Sequence, residues 1–328
     1  MLFFNTTING LQLGLIFAVL ALGLYISYSI LDFPDLSVDG TFPLGGIICT
    51  ILIYRAGFHP IFALFGSFIF GMLAGLITGF LHVKCKISKL LSGIIVMTGL
   101  LSITLALTMT ISKTGFTTVI FSYVQNKVPT IFDTSEGRMS NGIAILVLVG
   151  IVIVCKILID LFFKTKLGYM IKATGNNEIL VTSIGKDPGT FKIIGISIAN
   201  GFVGFSGALY TQFWHSYDNT SGTGKVVLAL ASVIIGIAVF SNIRFVKPTT
   251  AVVLGAIVYN LVLNYITIVD KDGIYNKLMN AVMFALIIIF NDKISSFFSR
   301  KTKGKNYKKV AYEMAEAGSP GKEGDIDG

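Results

Sequence analysis

The chain has 328 residues, of which 53% are hydrophobic and only 13% charged, with a formal net charge of +9. Soluble domains carry roughly a quarter of their residues as charges, so this composition excludes an ordinary soluble protein and places the chain in lipid. The basic excess does not describe a nucleic-acid surface, because the lysines and arginines cluster in short loops beside apolar runs, as in oriented membrane proteins.

Apolar runs suited to about 30 Å of hydrocarbon lie at 7–30, 40–57, 59–82, 90–112, 142–163, 190–213, 225–242, 248–269 and 276–298. They predict an all-α polytopic membrane helix bundle of about nine spans, with 40–57 and 225–242 short. The first run, "INGLQLGLIFAVLALGLYISYSIL", follows no Lys or Arg and ends in no clear small-residue cleavage site, so it reads as a retained span and not a signal peptide. Gly10, Gly14 and Ala18 recur at every fourth position and predict a close helix–helix contact.

The stretch "LDFPDLSVDGTFPLGG" (31–46) sets Asp32, Asp35 and Asp39 between apolar runs. A charge within hydrocarbon costs about 2.5–3.5 kcal/mol on insertion scales. Pro34 and Pro43 oppose a continuous helix, while Gly40, Gly45 and Gly46 permit close backbone approach. A broken second helix follows, with Asp39 as the cap of a helix beginning near Thr41. Asp32 and Asp35 have no local explanation. Two readings stand for Asp35 and Asp39, structural capping or lining of a translocation path.

Farther along, "GMLAGLITG" aligns Gly71, Gly75 and Gly79, and "GISIANGFVGFSGA" aligns Gly195, Ala199, Gly201, Gly204, Gly207 and Ala208. Both predict close packing between spans. The loop at 164–192 is too long for a tight hairpin. Its centre, "NNEILVTSIG", predicts a short amphipathic helix capped by Asn176 or Asn177, with Glu178 at its positive end and Gly185 at its close. The polar stretch "QFWHSYDNTSGTGK" holds the only tryptophan, Trp214, with His215 and Tyr217, and reads either as an interfacial anchor or as a docking surface for an extracellular partner. Asn200, Asn260 and Asn264 are amides within apolar runs and need partners there, either neighbouring helices or cargo on a translocation path. Residues 1–299 form one transmembrane domain. Residues 300–328 are a basic and then polar, Gly-rich tail expected to be disordered.

Catalytic signatures are missing. His59, His82 and His215 are far apart, no H-E-x-x-H, G-x-S-x-G or P-loop pattern occurs, and Cys49, Cys85 and Cys155 form no C-x-x-C pair. The chain is therefore expected to be no enzyme by itself and to hold no metal. The loops with Lys84, Lys86 and Lys89, with Lys164 to Lys192, and the tail from Lys293 hold most of the basic residues, which predicts the N-terminus outside and the C-terminus in the cytoplasm.

The segment "LGYMIKATGNNEILVTSIGKDPGTFKIIGISIANGFVGFSGAL" resembles the ATPase-coupling loop of ABC-importer permeases of the branched-chain amino acid and ribose type. Gly168 opens the motif, Lys172 and Ala173 follow, then Asn176, Asn177 and Glu178, and Gly185 precedes the next helix. Asn176-Asn177 replaces a commonly acidic pair and Lys172 a usual arginine. "NGLQLGLIFAVLALGLYISYSI", "DLSVDGTFPLG" and "KLLSGIIVMTGLLSITLAL" resemble the subfamily paired with lipoprotein-like solute receptors, for which aromatic amino acids are suggested ligands. The resemblance implies a bacterial cell-membrane permease working as a homodimer, with ABC ATPase subunits that bind ATP and Mg and with an extracellular solute-binding lipoprotein; the permease itself binds no cofactor. An ion- or proton-coupled secondary transporter, a ribose or nucleoside permease and a non-transporting scaffold are the competing readings.

Overall fold

A computed structural model of the chain describes residues 2–111, 117–120, 130–134, 137–240, 246–266, 278–279, 281–287 and 289. Ten α-helices run in chain order among the described elements: α1 (Leu2–Leu24), α2 (Val38–Tyr54), α3 (Pro60–Val83), α4 (Lys89–Ile111), α5 (Asn141–Phe162), α6 (Lys166–Asn176), α7 (Glu178–Ser183), α8 (Pro188–Trp214), α9 (Lys225–Ile235) and α10 (Pro248–Ile266). Wide π-helical turns extend α1 over Tyr25–Ile30 and α9 over Gly236–Phe240. Four short strands, β1 (Thr118–Ile120), β2 (Asp133–Thr134), β3 (Gly137–Arg138) and β4 (Ser216–Asp218), pair antiparallel as β1–β4 and β2–β3. Val119 sits opposite Tyr217 in the first pair.

Among the described residues, seven helical segments are long and apolar enough to cross a membrane: 3–30, 60–83, 89–111, 141–162, 188–214, 219–240 and 248–266. The protein is a multi-pass membrane helix bundle. The expected short span at 40–57 is α2, which begins at Val38 and not near Thr41, and stays below spanning length. The expected span at 225–242 reaches spanning length only together with the turn that precedes it. The expected span at 276–298 and the tail at 300–328 fall largely or wholly outside the described residues.

Close backbone contact organises the bundle. α8 packs most extensively on α3, and α1 on α10. A Cβ at Gly75 would stand 2.5 Å from the Ile196 carbonyl oxygen and 2.8 Å from Asn200 Cβ, and one at Gly79 would stand 2.9 Å from Ile193 Cα. The small-residue faces of α3 and α8 thus meet each other, which lets dispersion contacts hold the pair where no hydrophobic drive between helices operates. Gly10 and Gly14 of α1 face Leu261 and Ile257 of α10 in the same manner. The core runs along α1 from Leu15 to Ile26 and through the middle of α8.

One face of the bundle carries the α3–α4 turn and α6–α7. There the Lys89 ammonium donates to the Asp32 carbonyl (2.7 Å) and lies 3.4 Å from its carboxylate. The opposite face carries the start of α1, where Thr7 meets Tyr265 (2.7 Å), and the β pairs. After α8 reaches that opposite face the chain turns back. Residues 216–224 descend between α2 and α4, where the buried Tyr217 ring lies 3.0 Å from the position of a Cβ on Gly46. α9 begins only at the level of Asp39 and runs toward the α6–α7 face. The bundle therefore contains two short helices, α2 and α9, whose N-termini meet beside Asp39.

Candidate functional site

Among the polar residues that interrupt the apolar pattern, three groups stand out, each held by local and by distant partners. The first is the junction of α2 and α9. Asp35 precedes the first turn of α2, and one of its oxygens accepts the Ser37 amide (2.8 Å). The other accepts the Asn200 side-chain amide (2.6 Å), and the Ser37 hydroxyl donates to Asn200 Oδ1 (3.3 Å). Asp35 and Asn200 are both fully buried, so the structure brings these two residues together as a sealed, mutually satisfied cluster near the midpoint of α8. Asp32, by contrast, is exposed on the α6–α7 face.

Asp39 lies in the first turn of α2 but does not cap that helix. Its two oxygens accept the Gly224 amide (2.9 Å) and the Val226 amide (2.8 Å), so it caps α9. The otherwise unpaired amides of a helix start and the positive end of its dipole favour a carboxylate there. Pro43, within α2, has no N–H to offer the Asp39 carbonyl, and the backbone of Gly222 packs against that carbonyl and the proline ring. Beside this cap, the Lys225 ammonium stands over three aromatic rings, 4.3 Å from the Phe17 centroid, 5.3 Å from Tyr210 and 5.6 Å from Phe42. Such contacts strengthen as water is excluded. Tyr210 in turn lies 6.4 Å from Trp214, centroid to centroid. Thr223 and Gly224 are exposed at this level.

Asn260 and Asn264 are elsewhere, on α10 against α1. Asn260 donates to the Ala256 carbonyl (2.8 Å), Asn264 to the Asn260 carbonyl (3.0 Å), and a Cβ on Gly10 would lie 3.3 Å from Asn264 Cβ.

The second group is the α6–α7 segment. Thr165 caps α6 by accepting the Gly168 amide (3.2 Å). Gly168 packs against the backbone of Phe162 and Phe163, and the Lys172 ammonium lies 4.7 Å above the Phe163 ring. Of the two candidate caps it is Asn177 that caps the start of α7, accepting the Ile179 (3.0 Å) and Leu180 (3.2 Å) amides; Asn176 is the last residue of α6. Gly185, at φ +73°, turns the chain just beyond the last helical residues, a backbone that favours glycine. Glu178 pairs with Lys192 of α8 (2.6 Å). Asp187 caps α8; its acceptance of the Gly189 amide, then the Thr190 hydroxyl, holds its carboxyl below the usual range. The segment is thus pinned at both ends, while Ile179 (80% exposed), Leu180 and Ile184 point away from the bundle. Gly175 on α6 packs directly on the Ile30 carbonyl, at the break that leads to Asp35, while the Ala173 carbonyl accepts the Asn177 amide (2.9 Å) at the end of α6.

The third group closes the opposite face. His215 Nε2 lies 2.9 and 3.0 Å from the two Asp133 oxygens and 3.2 Å from the Thr130 hydroxyl. Partial burial pushes the Asp133 carboxyl up, but the Thr130 amide, His215 and the Thr130 hydroxyl outweigh it and hold the group below its ordinary range. Arg138 donates to the Phe213 carbonyl (3.1 Å) and stands over the Phe213 ring. Trp214 is 42% exposed beside this clamp, His215 is held within it, and Tyr217 is buried with its hydroxyl donating to Asn219 (3.0 Å).

Lys225 is a residue of the α2–α9 junction that the sequence pattern alone did not single out. Its position directly after "SGTG" and before an unbroken apolar run marks a helix start, and that signal was available. Asp133 and Asp160 each have one partner close in the chain, Thr130 and Lys156, but the groups that complete their sites, His215 for the one and Lys247 and Thr249 for the other, are distant in sequence and left no local signal. Among the described residues no group of three or more His, Cys, Asp or Glu side chains is placed to hold a metal ion.

The family profile described as branched-chain amino acid transport system / permease component matches residues 6–291. A protein of Clostridioides difficile (strain R20291) named "Tyrosine transport system permease protein" is 38% identical over 298 residues, covering 90% of this chain and 94% of that one. An uncharacterized protein of Rickettsia prowazekii (strain Madrid E) is 30% identical over 285 residues, covering 85% and 95%. No solved structure matches significantly.

Proposed function

The chain belongs to the branched-chain amino acid transport system permease family, and on that premise we propose that it is the membrane subunit of an ATP-driven importer of a small amino acid cargo. Permease subunits of this kind are not enzymes themselves. The observation that carries the reading is α7: a short helix, capped and salt-bridged at its base, that presents three apolar side chains to water where no bundle contact uses them. An apolar helix face held rigidly outside the bundle suits the groove of a partner protein. That partner is an ABC ATPase, which supplies ATP and Mg; an extracellular binding protein delivers cargo, and a second permease copy completes the passage. The name of the Clostridioides difficile relative supports an aromatic amino acid as cargo. The α6–α7 face is cytoplasmic and the N-terminus lies outside the bacterial cell membrane, as the lysine distribution supports.

Movement of the ATPases reaches the passage through few steps. α7 is tied to α8 by Glu178–Lys192, and α6 rests on Ile30, directly before the Asp35 break. A push on this segment therefore acts on the base of α2. The passage wall runs past the α2–α9 junction, where Lys225 offers a cation to a cargo carboxylate and Tyr210 and Trp214 offer ring faces. Alternating access follows if these two short helices have two packings.

The test is co-purification with the ATPase together with uptake in membrane vesicles. Wild type is expected to retain the ATPase and to take up labelled tyrosine only with ATP. Uptake that persists after ATP depletion and collapses with an ionophore would replace this reading with an ion-coupled carrier.

A further inference from the structure

On the α6–α7 face, a cavity of about 210 Å³ opens between the end of α5, α6, the start of α10 and the π-helical turn after α1. Lys164, Lys172, Lys247, Asp160, Tyr25 and Tyr169 line it. Asp160 is already engaged: it lies 3.2 Å from Lys156 and 3.2 Å from Lys247, and it accepts the Thr249 hydroxyl (2.7 Å). One carboxylate thus serves two ammonium groups. Lys164 and Lys172 have no carboxylate partner among the described residues. The cavity is consequently rimmed by uncompensated positive charge, and its two tyrosines add hydroxyl groups. Sites for drug-sized ligands occupy roughly 300–1,000 Å³, so this one suits a phosphate group better than a whole metabolite.

A second feature says how the phosphate arrives. Ile153 and Ile157 precede Asp160 by seven and three residues and so share its side of α5. Both are exposed, at 50% and 46%, and lead from the cavity into the apolar girdle of the bundle. A phosphate in the cavity with hydrocarbon tails along these side chains is the geometry of a phospholipid. Basic pockets between helices on the cytoplasmic side are suited to anionic headgroups.

We propose that this cavity binds the headgroup of an anionic phospholipid of the adjoining leaflet. The site stands apart from the transport reading, since it concerns lipid retention and not uptake. Bound lipid would tie α6, through Lys172, to α5 and α10, through Lys164 and Lys247.

The test reconstitutes the full-length chain in nanodiscs of phosphatidylcholine with a minor fraction of phosphatidylglycerol and reads the retained lipids by native mass spectrometry. Lys164→Gln and Lys172→Gln are each expected to lower the ratio of retained phosphatidylglycerol to phosphatidylcholine about fivefold. Lys84→Gln with Lys86→Gln, on the α3–α4 turn of the same face, is expected to leave it unchanged. An unchanged ratio in both pocket variants overturns the site. An equal loss in the α3–α4 variant also overturns it, because general surface charge then explains retention. Lys164 is exposed and keeps the test open should Lys172→Gln fail to fold. In discs of phosphatidylcholine alone, acetylation of the pocket lysines is followed with inorganic phosphate or glycerol phosphate added. Protection equal to that given by phosphatidylglycerol assigns the cavity to a soluble phosphate and overturns the lipid.

Discussion

Asp39 and Asp35 are neighbours in sequence with opposite surroundings. Asp35 is sealed against Asn200 and Ser37, whereas Asp39 spans two helices and sits beside Lys225. Asp39→Ala removes the cap of α9 and is expected to cost about 0.5–2 kcal/mol, the usual range for a lost helix cap. Asp39→Asn keeps one acceptor and is expected to cost less. Thermal unfolding of the purified variants in detergent checks the order. At the opposite face, the Asp133 carboxyl is held below its ordinary range by Thr130 and His215. A depressed carboxylate contributes stability that is complete above its unfolded pKa and is lost as pH falls through the lower folded value. The clamp on residues 130–139 is therefore expected to hold at neutral pH and to loosen only below the ordinary carboxylate range. In Asp133→Asn that contribution is missing at neutral pH as well. Limited proteolysis between 130 and 139, across a pH series, is expected to be fast in the variant throughout and fast in wild type only at the acid end.

The helices make their own predictions. Gly75→Leu drives a side chain into the Ile196 carbonyl and Asn200 at the seam of α3 and α8. Overpacking of this kind costs about 1–3 kcal/mol or more, so folded yield by size-exclusion chromatography is expected to fall. Gly99→Leu on α4, where nothing lies within 4 Å, is expected to leave it unchanged. Ile179→Glu, on the outward face of α7, is expected to abolish ATPase co-purification while the permease remains monodisperse. Loss of the fold itself would count against the docking role of that face. These elements were readable because their signals are local. Apolar run length set the spans, glycines four apart marked the α3–α8 and α1–α10 seams, and Asn-Asn-Glu before an apolar stretch marked α7. The stretch from 215 to 224 was not readable. Its polar composition describes a surface loop, and its burial depends on distant partners: Gly46 making room for the Tyr217 ring, and the Pro43 gap receiving Gly222. No local pattern in "HSYDNTSGTG" names either partner, so the seat of Lys225 over Phe17, Tyr210 and Phe42 could not be read from the sequence.

At the scale of the whole molecule, orientation is testable with the native cysteines. Cys85 is exposed on the α3–α4 turn, while Cys49 and Cys155 are buried. With the α6–α7 face in the cytoplasm, a membrane-impermeant thiol reagent is expected to leave intact cells unlabelled and to label Cys85 once the membrane is permeabilised. Labelling of intact cells would invert the topology. The meeting of α2 and α9 has a mechanical consequence as well. One carboxylate rides on the first turn of α2 while gripping two amides at the start of α9. It works as a yoke: sliding either helix along its axis must drag the other with it or tear both bonds at once.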